Sequence, residues 1–313
     1  MPDLDAIFKA YDVRGTTPDQ LDEPTARAIG AAFARFVLER PEGAERVLIG
    51  RDMRPSGVGL AAAFADGVMA QGLDVVDLGL CSTDLVYYAA GVLDAPAVML
   101  TASHNPAQYN GMKMCLSGAR PIGVDSGLQE IKAMAAAGVP DGPRRGARTE
   151  QDLLADFAAH VRSFVDPSAL RPLKVVADTA NGMGGLVVPA VFEGLPIELD
   201  LLYPELDGTF PNHPADPIQP ENLRDLQARV LETGADVGLA FDGDADRVFL
   251  VDETGAPLSG SITTAIVAAG VLDKEPGATI LYNCICSKTV PEVVRERAAP
   301  PSAPRSATAT SRP

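Results

Sequence analysis

"AVMLTASHNPAQYNGMK", residues 97–113, decides the fold. Four strand-type apolar residues empty into a loop of Thr, Ser, His, Asn and Pro, and a second short run leads to Lys113. A strand that ends in a polar loop reads as the carboxyl end of a strand in an open α/β sheet, where sites form. The chain before it alternates in the same way: "RVLIG" (46–50), helix-like "GLAAAFADGVMAQG" (59–72) and "DVVDLG" (74–79). After the Gly/Pro/Arg-rich "GVPDGPRRGAR" (138–148), "LKVVAD" (173–178) restarts the alternation, and "ADVGLAFD" and "RVFLVD" flank a second polar loop. After "DETGAPLSG" (252–260) come "SITTAIVAAGVL" (261–272) and strand-like "ATILYNCIC" (278–286). This order predicts an α/β protein of repeated units, with parallel or mixed sheets covered by helices.

The bulk numbers bound the function. A chain of 313 residues exceeds one ordinary domain, and 46% apolar with 22% charged residues supports packed cores. A formal charge of −16 argues against nucleic acid as a partner, because a phosphate backbone would be repelled. The start, "MPDLDAIF", lacks a basic and apolar leader, and no apolar run reaches spanning length. The expectation is a soluble, cytoplasmic protein with no membrane partner. Cys81, Cys115, Cys284 and Cys286 have no zinc-like spacing, and the last two read as buried thiols on one strand face.

Ser103 beside His104 invites a hydrolase reading, but a G-x-S-x-G elbow is missing, and adjacent loop residues rarely aim at each other. A capping or turning loop at Asn105-Pro106 is the plain alternative. The second polar loop, "FDGDADRVFLVDE", sets Asp242, Asp244 and Asp246 at alternate positions. Three clustered carboxylates repel unless something cationic holds them. A calcium EF-hand fails because its sixth position is Arg247 rather than glycine, although Glu253 occupies its twelfth. Magnesium, which uses few carboxylates and completes its shell with water and phosphate oxygens, fits better. Lys9, Arg14, Arg51, Arg54 and Lys113 sit near loop-like stretches, and each taken singly reads as a surface charge. Arg14, before Gly15, is placed to reach a phosphate, and Lys113 would serve as a base if burial lowered its pKa. A serine without an elbow, together with an aspartate triplet, favours phosphoryl over acyl transfer.

These residues resemble the α-D-phosphohexomutase superfamily, in its bacterial phosphomannomutase/phosphoglucomutase branch. "TASHNP" (101–106) is similar to its phosphoserine loop and "DGDADR" (242–247) to its magnesium loop. "AYDVRG" (10–15), "GRDMRPSG" (50–57), "YNGMK" (109–113) and "GTFPNHPADPIQPENL" (208–223) follow in family order. The resemblance implies three-layer α/β/α domains: domain I over 1–143, domain II over 149–255, and an incomplete domain III over 256–297. It implies a mutase that interconverts hexose 1-phosphate and hexose 6-phosphate, of mannose or glucose, through phosphorylated Ser103 and a bisphosphorylated sugar. Magnesium would be held by Asp242, Asp244, Asp246 and a phosphoserine oxygen. Lys113 would be the acid/base, Arg14 and Arg247 would stabilise the moving phosphoryl group, and His104 would orient the sugar.

The chain departs from that pattern after Arg297. The family's sugar-selecting Glu-x-Ser-Gly-His loop and its distal-phosphate domain do not follow. The tail "AAPPSAPRSATATSRP" (298–313) holds only Ala, Pro, Ser, Thr and Arg, a composition typical of disordered termini. The same tail results when a GC-rich coding line for GGTPVRTPVGHGYIKA, a third-domain type of segment, is read one nucleotide out of frame. The expectation is a frameshifted, C-terminally truncated mutase of impaired activity. A phosphoglucosamine mutase, a phosphatase-like remnant and a non-catalytic fragment are the alternatives, and sugar preference and oligomeric state stay open.

Overall fold

The computed structural model describes residues 3–298, so the tail expected to be aberrant lies outside the described residues apart from Ala298. By contacts the chain divides into two units, Met1–Gly255 and Ala256–Pro313. The first unit contains two sheets. One is built from β1 (Val13–Thr16), β2 (Arg46–Arg51), β3 (Asp74–Leu80), β4 (Ala97–Leu100), β5 (Tyr109–Leu116), β6 (Arg120–Pro121) and β7 (Arg148–Glu150). Its order is β1-β5-β4-β2-β3-β7, with β6 added to β5. Strands β2, β3, β4 and β7 run parallel to one another, while β5 is antiparallel to β1 and β4, so the sheet is mixed.

Period-two alternation explains why helices cover both faces. Val47, Ile49, Val98, Leu100, Met112 and Met114 turn to one core, which also holds Ile29, Phe33, Leu60, Phe64, Leu128 and Ile131. Those six come from α2 (Glu23–Leu38), α3 (Pro55–Ala70) and α5 (Leu128–Ala137), which follow a short α1 (Leu4–Ile7). Leu48, Val76, Leu78, Ala97, Met99 and Cys115 turn to the opposite core, under α4 (Thr83–Val92) and α6 (Leu154–Arg162). The result is the expected α/β/α sandwich.

The second sheet has the order β11-β10-β8-β9. It comprises β8 (Leu173–Asp178), β9 (Ile197–Leu202), β10 (Val237–Phe241) and β11 (Val248–Asp252), with only β11 antiparallel. α8 (Arg224–Thr233) buries Leu226 and Val230 against Val176, Ala240 and Val251. On its other side α7 (Gly184–Phe192) sends Val187 into the same core as Phe157 of α6 and Leu48 of the first sheet. Residues 148–150 straddle the start assigned to the second domain, yet they pair with Val75–Asp77 of β3. An open sheet edge binds whatever chain passes beside it, so the first sheet extends beyond residue 143.

The second unit holds α9 (Gly260–Lys274) and α10 (Thr289–Ala298). The strand expected over 278–286 does not form. Leu281 is 88% and Ile285 85% exposed, Cys284 is exposed and Cys286 half-buried, against the buried pair anticipated. A strand requires a neighbour for its N–H and C=O groups, and the described residues of this unit supply none. No described helix is long and apolar enough to cross a membrane.

Candidate functional site

The serine loop connects two antiparallel strands, β4 and β5. The Ser103 N–H donates to Thr101 Oγ1 at 2.8 Å, Asn105 N–H to the Ala102 carbonyl at 3.0 Å, and Tyr109 N–H to the Pro106 carbonyl at 3.0 Å. This tight path leaves Ser103 at φ +50° and only 4% exposed. The aspartate loop joins β10 to β11 and folds on itself, with Arg247 N–H donating to Asp242 Oδ1 at 3.2 Å and Ala245 N–H to the Asp242 carbonyl at 3.1 Å. Glycine is required between the first two aspartates: a Cβ on Gly243 would lie 2.4 Å from the Ser103 carbonyl oxygen. The two loops touch there.

Across that contact the Ser103 hydroxyl donates to Asp242 Oδ2 at 2.6 Å and accepts from Arg247 Nη2 at 2.5 Å. Arg247 also donates through Nε to Asp242 Oδ2 at 2.9 Å and through Nη2 to His104 Nδ1 at 2.6 Å. Because a guanidinium can only donate, His104 Nδ1 is an acceptor here; the Ser103 hydroxyl is 3.4 Å from that nitrogen but only 2.6 Å from Asp242 Oδ2, its nearer acceptor. Burial and then Arg247 hold the His104 pKa down, which agrees with a neutral ring. The geometry therefore favours Asp242 over His104 as the partner of the serine hydroxyl, against the hydrolase pairing. Arg14, on β1 opposite Gly111 of β5, reaches the same loop by donating to Asn105 Oδ1 and is itself held by Asp12 at 2.6 Å.

Oxygens of Asp242, Asp244 and Asp246 lie within 4.8 Å of one another, and the first two residues are fully buried. Lys113, on β5, sets its ammonium among them, 2.7 Å from both Asp244 Oδ2 and Asp246 Oδ2. Burial alone would depress its pKa, as anticipated for a base, but the two carboxylates outweigh burial and raise it. Burial would also raise Asp244, yet Lys113 and the Thr83 hydroxyl, 2.7 Å away, bring it down to about 2. Asp242 is pushed up to about 7 by burial and by Asp244, against the pull of Arg247. Asp244 Oδ1 is buried without a donor. A crowded carboxylate triplet, an ammonium standing within it and one orphaned oxygen fit a hard cation, and these residues can hold a metal ion. Glu253 follows β11 and is not part of the cluster.

The sequence missed Arg54 and Thr83. Arg54, read singly as a surface charge, is fully buried and pairs with equally buried Asp52 at 3.1 Å. Its other donors face the carbonyls of the serine loop. No periodicity marks it, since Arg51 three residues earlier is only half-buried. Thr83 carried a helix-start signal, Ser82 capping α4 through the Leu85 N–H, but nothing pointed to Asp244. Lys9 is exposed and donates to the Ala6 carbonyl, apart from the site.

Fold and site together define an α/β/α protein in which a buried serine and an aspartate triplet meet around a cation position. The chain belongs to the phosphoglucomutase/phosphomannomutase family: residues 5–139 match its alpha/beta/alpha domain I and residues 154–255 its alpha/beta/alpha domain II. A Xanthomonas campestris protein named phosphohexose mutases is 42% identical over 283 residues, 88% of this chain and 61% of the relative. The phosphomannomutase/phosphoglucomutase of Pseudomonas aeruginosa is 39% identical over 292 residues, 90% of this chain and 60% of the relative. The crystal structure of a phosphoglucomutase/phosphomannomutase family protein from Burkholderia thailandensis superposes with a TM-score of 0.87 at 38% identity, covering 95% of this chain and 65% of that one. The chain thus spans about three fifths of the length of the curated relatives it matches.

Proposed function

We propose that the chain supplies the phosphoserine and metal-binding part of a phosphosugar mutase, which interconverts hexose 1-phosphate and hexose 6-phosphate of mannose or glucose. The observation that carries the reading is the environment of Ser103: its hydroxyl lies between Asp242 and Arg247, closer to both than to the neighbouring His104. In this reading the Oγ–P bond of phosphorylated Ser103 breaks as a sugar hydroxyl takes the phosphoryl group. The bisphosphorylated sugar then reorients and returns its other phosphoryl group to Oγ. Arg247, 2.5 Å from Oγ, stabilises the charge of the transferring group, and Arg14 does so from the side of Asn105. The proton that leaves the sugar hydroxyl ends on Ser103 Oγ, with Lys113 as the acid/base that relays it, and His104 orients the sugar. Asp242, Asp244 and Asp246, with a phosphoserine oxygen, would hold magnesium, which supplies charge neutralisation to the phosphoryl group when bound.

The test replaces Ser103 by alanine. Incubation with glucose 1,6-bisphosphate should add one phosphoryl mass to the wild-type chain and none to Ser103→Ala. Equal labelling of both would remove Ser103 as the carrier. Release of inorganic phosphate without isomerisation would identify a phosphatase-like chemistry instead.

A further inference from the structure

We propose that Arg54 is the positioning residue for Ser103, acting through the main chain of residues 103–109 and touching no substrate. The proposal rests on Ser103 being the phosphoryl carrier. The Arg54 guanidinium is fully buried, and all its nitrogens are engaged. Nη1 donates to the carbonyls of Pro106 at 2.8 Å and Tyr109 at 3.0 Å, and Nη2 to those of Ser103 at 2.9 Å and Asn105 at 2.6 Å. Nε donates to Asp52 Oδ2 at 3.1 Å, and the Arg54 N–H to Asp52 Oδ1 at 3.0 Å.

Four carbonyl oxygens converging on one buried point repel one another unless a cation stands there. A planar fork of five donors can satisfy all four and remain anchored to a carboxylate, whereas an ammonium has three donors and no fixed plane. The bond to the Ser103 carbonyl matters most. Ser103 sits at φ +50°, a conformation a non-glycine residue keeps only when its surroundings impose it. Its carbonyl is caught between Arg54 and Gly243, whose ideal Cβ would lie 2.4 Å from it, and that leaves Oγ directed at Asp242.

The loop after β9 closes the remaining side of the cation. The Phe210 ring centroid is 5.1 Å from the guanidinium carbon, and Gly208 packs so closely that a Cβ would lie 2.5 Å from Arg54 Cα. Arg54 therefore joins the serine loop of the first sheet to a loop of the second.

The experiment compares the full chain with Arg54→Lys by amide hydrogen exchange and by Ser103 phosphorylation from glucose 1,6-bisphosphate. Exchange of residues 103–108 should accelerate about tenfold or more, while that of β4 and β5 stays within about twofold. The phosphorylation rate should fall about 30-fold with the half-saturating donor concentration little changed, because the reacting atom is misplaced rather than the donor lost. Unchanged loop exchange would overturn the proposal whatever the phosphorylation rate does. Acceleration of every segment in parallel would also overturn it, by reducing Arg54 to a general stabiliser. Failure of the wild-type chain to accept a phosphoryl group would refute the carrier reading and leave loop exchange to decide this one. Should Arg54→Lys not fold, Asp52→Asn decides: it keeps the guanidinium but loosens its anchor, so loop exchange should rise about threefold or more. Wild-type exchange in that variant would refute the assignment.

Discussion

The ammonium of Lys113 stands where a divalent cation would, so replacing it with methionine should make the protein's stability depend on metal. Lys113 donates at 2.7 Å to Asp244 and at 2.7 Å to Asp246, and its side chain is 17% exposed against 0% and 22% for the two carboxylates. Removing one partner of a buried pair costs about 3–5 kcal/mol, because the other charge is left uncompensated. The partial exposure of Lys113 and Asp246 moves the expectation to the lower end, about 3 kcal/mol. In a folded unit of this size each kcal/mol moves the midpoint by about 2–4 °C, so Lys113→Met should melt about 6–12 °C lower in chelator.

Saturating magnesium should restore most of that loss, since the ion supplies the missing positive charge. The variant should also bind the ion more tightly than the wild type, up to about 100-fold, because no ammonium has to be displaced first. Thermal unfolding by circular dichroism, with and without magnesium, reads the first effect, and calorimetric titration the second. Work at about pH 8 keeps Asp242 ionised, since its pKa is pushed up to about 7. An equal melting loss with and without metal, or weaker metal binding in the variant, would refute the idea that Lys113 and the ion share one position.

Two further outcomes rest on Gly243 and on His213. Gly243→Ala should separate the loops, because its Cβ would meet the Ser103 carbonyl at 2.4 Å; we expect a cost of about 1–3 kcal/mol and about tenfold weaker magnesium binding by calorimetry, and wild-type affinity would contradict the close approach. His213 donates to both Asp178 Oδ2 at 3.0 Å and the Pro214 carbonyl at 2.9 Å when protonated, and these partners raise its pKa although burial opposes them. Its contribution to stability is complete below about pH 6.5 and is lost as pH rises through the elevated folded value. Unfolding free energies from urea titrations should therefore fall between pH 6 and pH 9, His213 contributing a slope no steeper than about 1.4 kcal/mol per pH unit that is missing in His213→Asn; equal slopes would count against the pair.

How much of this was legible in the sequence depends on whether the cause was local. The strands of both sheets follow from short apolar runs whose alternate residues serve two cores, as Leu48 and Val47 do on opposite faces. The aspartate triplet was legible because three like charges at period two demand a counter-charge wherever the chain folds. The run at 278–286 misled because composition marks a segment able to become a strand, whereas hydrogen bonding to a neighbour makes it one. Lys113 misled in a different way: burial and charge act on its pKa in opposite directions, and only distances show that two carboxylates prevail.

Arg54 marks the limit most sharply. Apart from Asp52, its acceptors lie 49 to 55 residues further along the chain and are main-chain carbonyls, which every residue possesses and no sequence pattern labels. Arg51 and Arg54 have the same side chain in one short segment, yet one is half-buried and the other has no exposure at all. The difference is created by the bend of residues 103–109 and by Phe210 arriving from the second sheet. The left-handed Ser103 and the buried guanidinium each need the other: the bend supplies the carbonyls that justify burying a charge, and the charge holds the bend. A substitution at either end should therefore be read out at the other, which is why loop exchange and Ser103 chemistry are the paired measurements for Arg54.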